Sequence, residues 1–329
     1  MKTTLLFLSV FLSASLFSQN VYIPDVNFKA CLVTNPEINT NGDNEIQVSE
    51  ATAYDGHLYC PSANFSISDL TGVEAFTALT ALTCNSNQLT SLDVSNNTAL
   101  EILGCSDNQL TSLDVSQNTA LQSLHCGFNQ LTSLDVSQNT ALEILGCSDN
   151  QLTSLDVSQN TALEHLYGSD NQLTSLDVSQ NIALAWLICY DNQLTSIDLS
   201  QNTALERLFC NENQLTCLNL ANGNNINFIG SQFSSEFSAV DNPNLTCIEV
   251  DDAEFSTALW GFWFYIDPQT SFSEDCNNDC TSSLTEITTS KNLIKILDMM
   301  GRETTFKPNT PLIYVYDDGS TEKVFSVEY

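Results

Sequence analysis

The sequence predicts a repeat solenoid poor in helix: a short curved rod of parallel β-strands with a helical cap at its N-terminal end, a second cap at its C-terminal end and a small all-β tail. Three observations predict it. Near-identical segments of the form LTSLDVSQNTALEILGCSDNQ recur every 21 residues, opening at Leu89, Leu110, Leu131, Leu152, Leu173, Leu194 and Leu215. Within each runs L-x-x-L-x-C-x-x-N-x-L, whose Leu and Cys two apart point to one side of a strand while their neighbours point to the other. One such unit cannot bury that apolar side alone, so units must stack and share a continuous core. With strands roughly 4.8 Å apart, seven coils make a rod about 34 Å long.

The chain opens with a secretory signal in residues 1–18. Lys2 gives the positive start, and residues 5–16 are an apolar run too short to span a bilayer. Cleavage after Ser18 would leave Gln19 first. No later stretch is long and apolar enough for a transmembrane helix, so the mature chain is expected outside the cytoplasm, secreted or on the outer cell surface. Its 8 Lys plus Arg against 40 Asp plus Glu give a net charge of -32. Nucleic acid and anionic membrane surfaces are therefore poor partners, because a phosphate backbone needs basic side chains to neutralise it.

Residues 19–66 form the N-terminal cap. Asp25, following Ile23-Pro24, starts a helix whose apolar face carries Phe28 and Leu32. The run from 39 to 50, NTNGDNEIQVSE, resembles an EF-hand or dockerin-type calcium loop. That resemblance places Asn39, Asn41 and Asp43 at loop positions 1, 3 and 5, the Glu45 carbonyl at 7 and Glu50 at 12. The first position is Asn rather than Asp and the sixth is Asn44 rather than Gly. Calcium and a metal-free helix–loop–helix cap are both compatible with these residues.

Residues 67–233 hold the repeats, whose strand pattern begins at Leu79, Leu100, Leu121, Leu142, Leu163, Leu184 and Leu205. The repeated Asn, from Asn87 to Asn213, falls where the chain leaves each strand, where its amide can satisfy turn backbone. In the second half of each unit Leu92 and Val94 point inward. The matching aspartates, Asp93 to Asp198, line the outside, as a solvated column bonded to turn amides or as a cation ladder. Six cysteines, Cys84, Cys105, Cys126, Cys147, Cys189 and Cys210, share one inward column. They read as buried thiols, since parallel side chains hold the Cβ atoms wider apart than a relaxed bridge wants. The other six are disulfide candidates, Cys31 with Cys60 and Cys247 with Cys276 being the preferred pairs.

This pattern resembles the leucine-rich-repeat family in its short, internalin-like bacterial form, with Cys where the third strand Leu usually sits. The resemblance covers about half of the chain and implies a binding or adhesion module for a protein or glycan, monomeric and not an enzyme. A structural envelope or matrix component with no specific ligand is the alternative. The residues point the same way. Outward strand columns vary while the Thr90 to Thr216 column never does: one reads Ala81, Ile102, Ser123, Ile144, His165, Trp186, Arg207, and the next Thr83, Gly104, His125, Gly146, Tyr167, Ile188, Phe209. With Phe128 and Tyr190 these give a candidate ligand face of His125, Phe128, His165, Tyr167, Trp186, Ile188, Tyr190, Arg207 and Phe209. Asp170, Asp191 and Glu212 border it and favour a neutral or basic partner. Arg207 is read as able to pair with a ligand carboxylate, and Tyr and Trp as able to stack on sugars. No nucleophile or acid/base motif surrounds any Ser, Cys or His.

Residues 234–283 read as a degenerate repeat and cap. Ile226 and Ile229 are expected in a loosened coil, Leu245-Thr246-Cys247-Ile248 echoes Leu215-Thr216-Cys217-Leu218, and Trp260, Phe262, Trp263, Phe264 and Tyr265 are expected to cover the last coil. Residues 284–329 hold 5 of the 8 basic side chains and read as strands with a turn at Asp318-Gly319. They resemble the C-terminal sorting domain of type IX secretion cargo of Bacteroidetes, with Asp298, Gly301 and Arg302 in the D-x-x-G-R motif and Tyr314, Tyr316 and Gly319 in the terminal hairpin. The resemblance implies type IX secretion machinery as a partner.

Overall fold

In the computed structural model the described residues are 19–60, 66–228, 236–260, 266–277, 280, 293–298, 302–304, 312–316 and 321–324. The expected signal peptide lies outside them, as do Phe262, Trp263, Phe264, Tyr265, Gly301 and Gly319. The chain divides into two units, 1–281 and 282–329.

In the first unit Asp25 caps the helix Val26–Val33, its carboxylate accepting from the backbone N–H groups of Asn27 and Phe28. Phe28 and Leu32 are fully buried, as their spacing predicts. The cap is tied to the rod by the Cys31–Cys60 disulfide. A second short helix, Val48–Ala53, follows the loop.

The rod is a solenoid of about nine turns. Among the described residues its main sheet has nine parallel strands in sequential order along the rod, from His57–Tyr59 through Ala81–Thr83 and the five strands after it to Arg207–Phe209 and Phe237–Ser238. The register is constant: Leu82, Leu103, Leu124, Leu145, Leu166, Leu187 and Leu208 lie opposite one another, all at 1% exposure or less. Their flanking residues alternate outward, the period-2 pattern of the sequence.

Sequence reasoning placed Leu58 in the cap and a loosened coil at Ile226 and Ile229. The structure corrects the first and, at Ile226, the second; Ile229 lies outside the described residues. Leu58-x-Cys60 is itself a strand of the L-x-C type and starts the sheet, with Leu58 paired to Leu82. Ile226 lies in a 3-10 turn, Asn225–Phe228, and is 60% exposed. Its expected core place is taken by Phe237, fully buried, because an insertion lengthens this coil and moves the strand downstream.

On the opposite side of the rod, regular strands form only in the last coils: Ser196–Asp198, Cys217–Asn219, Cys247–Glu249 and Ser271–Ser273 pair in parallel. The Cys247–Cys276 bridge forms there as expected, and Cys217 pairs with Cys280. An unforeseen helix, Ala253–Trp260, packs in this region. The six column cysteines are free and buried, and burial pushes the Cys84, Cys147 and Cys189 thiols up to about 12. They behave as small apolar side chains.

The second unit contains an antiparallel sheet ordered Glu303–Thr304, Leu293–Asp298, Leu312–Tyr316, Thr321–Val324. Asp298 ends its strand, Arg302 is exposed, and Tyr314 and Tyr316 share the third strand. No helix among the described residues is long and apolar enough to cross a membrane.

Candidate functional site

Stacking in register turns the variable outward positions into columns running along the rod. In the first column His165, Trp186 and Arg207 lie opposite one another. The His165 and Trp186 rings stack with centroids 4.4 Å apart and planes 23° apart. The Arg207 guanidinium sits over Trp186, 4.3 Å from the ring centroid. Because Phe237 is opposite Leu208, Glu236 falls beside Arg207, and its carboxylate accepts a hydrogen bond from Arg207 Nε. The result is a continuous column of imidazole, indole, guanidinium and carboxylate. Each contact adds an aromatic, cation–π or charge-assisted attraction to the strand pairing beneath it.

The second column places Tyr167, Ile188 and Phe209 in line. Tyr167 meets Trp186 edge-on, with centroids 6.5 Å apart at 87°. Burial pushes the Tyr167 phenol above its ordinary value, against the opposing pull of Arg207. Tyr190 stands half-buried one position beyond the Cys column. The patch is thus built from three successive coils, all of its side chains half-buried rather than free.

Two expectations change. Both faces of Trp186 are covered, so its ring edge rather than its face is offered to a partner. Arg207 is engaged by Glu236 and Trp186, so it is not the free cation that would pair with a ligand carboxylate. Glu236 escaped sequence reasoning because the inserted residues put it 29 positions from Arg207, off the 21-residue period.

His125 and Phe128 stand apart from the patch. The His125 ring lies across Gly146, where an added Cβ would come within 2.9 Å of Nδ1, and Nε2 is 3.1 Å from Ser123 Oγ. Burial lowers its pKa and favours the neutral ring. Phe128 is 61% exposed and sits in the turn after its strand at φ 53°, in line with Asp107 and Asp149 rather than with the aromatics. The strand face also gains His57 and exposed Tyr59 from the unexpected first strand.

In the calcium-like loop the side chains bond to one another. Glu50 Oε1 accepts from Thr40 N, Thr40 Oγ1 and Asn41 N, and Oε2 accepts from Gln47 N. Burial works against that carboxylate's charge, but these donors outweigh it and hold its pKa low. Asn39 turns its amide N–H groups to the carbonyls of Val33 and Asp43, and its oxygen to Gly42 N. Asp43 accepts from Glu45 N, Asn41 and Gln47, while the Glu45 carboxylate pairs with Lys29. An ion needs oxygens pointing inward. Here these oxygens accept hydrogen bonds from the loop's own donors, the arrangement that a metal-free cap uses. Among the described residues no group of three or more His, Cys, Asp or Glu is placed to hold a metal ion.

No protein-family model matches the chain. It is 38% identical to internalin J of Listeria monocytogenes over 81 residues, which is 24% of this chain and 8% of that protein. Among solved structures it is similar to the functional domain of InlJ from Listeria monocytogenes, described as including a cysteine ladder. The identity is 32% and the TM-score 0.55, with 76% of this chain and 62% of that chain covered. Internalin C2 from Listeria monocytogenes shares the fold at 19% identity and TM-score 0.53, over 69% of this chain and 93% of that one. The chain thus spans less than two thirds of the solved InlJ domain and a small part of full internalin J. The fold is the leucine-rich-repeat solenoid of internalin-like proteins.

Proposed function

We propose that this chain is an exported, non-enzymatic binding module that captures a protein or glycan ligand on the strand face of its last coils. The observation that carries the reading is the column His165–Trp186–Arg207–Glu236 with Tyr167 at its side, set on a rigid parallel sheet. Side chains already locked by stacking lose little further entropy when a partner docks, so more of the contact energy appears as affinity. Half-buried aromatics in such a setting are the side chains that carry binding hot spots. The export signal and the type IX-like tail are part of the same proposal: deleting Lys291 to Tyr329 should leave the chain in the periplasm, and normal surface display of the truncated chain would remove the tail from it.

The binding test is an array of peptides and glycans probed with the mature protein and with Trp186→Ala and Tyr167→Ala. Each substitution should weaken any specific hit by about 2 kcal/mol, roughly thirtyfold. Trp186→Ala also breaks two stacking contacts, so a stability loss of about 1 kcal/mol is expected beside it. A hit whose affinity ignores both substitutions but falls with changes in the Asp93 to Asp198 column would put the site on the opposite edge.

A further inference from the structure

The strand face is bordered on both sides by carboxylates. Immediately before the strands stand Glu101, Glu143, Glu164 and Glu206, all exposed. Immediately after them, in the turns, stand Asp107, Asp149, Asp170, Asp191, Glu212 and Asp241, all at φ between 51 and 58°. Five residues lie between Glu164 and Asp170, so the two rails flank the strands at no more than about 20 Å, the extended-chain limit. Carboxylates on neighbouring coils, Glu143 with Glu164 and the run from Asp149 to Asp241, follow the strand spacing of about 4.8 Å, while Gln122, Ala185 and Phe128 each leave a one-coil gap. Between the rails lie Ile102, 43% exposed, the Gly104 and Gly146 positions, and the aromatic column.

Among the described residues no ion pair offsets these rails. Between Lys29 and Lys291 the sequence contains one basic residue, Arg207, and Arg207 is engaged by Glu236 and Trp186. The Lys29–Glu45 pair lies in the N-terminal cap, so neither ion pair involves a rail carboxylate. Two unneutralised acidic lines beside low-dielectric apolar groups focus a negative potential on the floor between them. Burial, and then facing Asp170 and Asp191, already pushes Asp149 above the ordinary carboxylate range.

We infer that the partner of this face is a cationic polypeptide segment, extended along the rod, with Lys or Arg side chains reaching the two rails and apolar or aromatic side chains resting on the floor. This rests on the strand-face reading above and names its ligand class. Alternation along an extended chain sends successive side chains to opposite sides, which matches a trough with an acidic rail on each side. Lys and Arg can also cross apolar surface with their aliphatic stems while their charged ends reach the carboxylates. A neutral glycan would leave both rails unused, and a second copy of this acidic chain would be repelled.

The test uses the full mature protein and three synthetic peptides of equal length and equal aromatic content, carrying five Lys, five Ser or five Glu. The Lys peptide should bind most tightly, with an affinity that falls as salt rises. The triple variant Asp149→Asn/Asp170→Asn/Asp191→Asn should weaken it at least about tenfold and flatten the salt dependence. Asn tolerates the left-handed backbone, so this variant keeps its turns. The control Asp114→Asn/Asp135→Asn/Asp156→Asn removes the same charge from the opposite edge and should change affinity less than about twofold. Equal binding of Lys and Ser peptides, or equal effects of the two triples, overturns the cationic partner. If a neutral probe binds and Trp186→Ala abolishes it while the rail triple does nothing, the strand-face site stands and this ligand class falls. If the Lys peptide responds to the rails but ignores both Trp186→Ala and Tyr167→Ala, the aromatic site itself falls.

Discussion

Each edge of the rod carries one buried Asn column and one acidic column, and the two edges divide the hydrogen bonding in opposite ways. At the edge following the main sheet, Asn192 uses its whole amide: Nδ2 donates to the carbonyls of Gly168, Cys189 and Tyr190, and Oδ1 accepts from Leu173 N. The neighbouring Asp191 has no matching role in the turn. At the other edge Asn181 donates to the carbonyls of Val157 and Asn160, yet its Oδ1 is buried without a partner, as it is in Asn97, Asn118, Asn139, Asn160 and Asn202. There the aspartate does the turn's work, Asp177 Oδ1 accepting from Ser179 N at 2.9 Å. The same residue types at the same period are therefore structural on one edge and available for contact on the other. Periodicity alone does not tell them apart; the donor each carboxylate has, or lacks, does.

The largest effect that can break this comparison comes from the Asn columns. Asn192→Ala leaves the buried Leu173 N–H without its acceptor and should cost about 2 kcal/mol, while Asn181→Ala only removes one of two donors from the Val157 and Asn160 carbonyls, which keep the N–H groups of Asn160 and Leu163, and should cost about 1 kcal/mol. Urea unfolding of both variants measures the difference. Equal losses, or a larger one at Asn181, would mean that the unpartnered oxygen matters as much as the satisfied one.

Much of this was legible in the sequence, for a physical reason. Stacked coils repeat one environment, so every constraint is printed seven times, and the inward Leu and Cys, the Asn where the chain leaves the strand and the Asp column follow from spacing alone. Two of the three disulfides, Cys31–Cys60 and Cys247–Cys276, were also readable. What spacing could not show lies where the period breaks. Phe237 and Asn242 continue the core and the Asn column after an insertion, Asn242 Oδ1 accepting from Leu215 N and Nδ2 donating to Cys210 O. The signal was present in Asp241-Asn242, which repeats the Asp-Asn pair of Asp107-Asn108. Leu58-x-Cys60 was likewise a repeat motif hidden in the cap. The candidate site was legible as a list of outward side chains but not as an arrangement. Nothing in the spacing says that Arg207 is shared between Trp186 and Glu236, or that the glutamates before the strands form a second rail.

The smaller effect sharpens the comparison through pH. Hydrogen bonds from the Ser residues two positions on hold Asp93, Asp114, Asp135 and Asp156 below the ordinary carboxylate range. A carboxyl lowered in the folded state contributes stability that is present above its unfolded pKa, about 3.9, and is lost as pH falls through the folded value. Asp149 is raised instead, by burial and by Asp170 and Asp191. Its contribution has the opposite sign: it favours the fold below the unfolded pKa and is lost as pH rises through the folded one. Asp149→Asn should therefore raise the urea midpoint at pH 7, by an amount on the scale of exposed charge pairs, within about 1 kcal/mol. That advantage should vanish at pH 3, where the wild-type carboxyl is protonated. Asp114→Asn/Asp135→Asn should lower the midpoint at pH 7 and shrink the loss that wild type shows between pH 5 and pH 3. If both variants move the pH 7 midpoint in the same direction, the two columns differ in position only, and the carboxylates after the strands are as structural as those on the far edge.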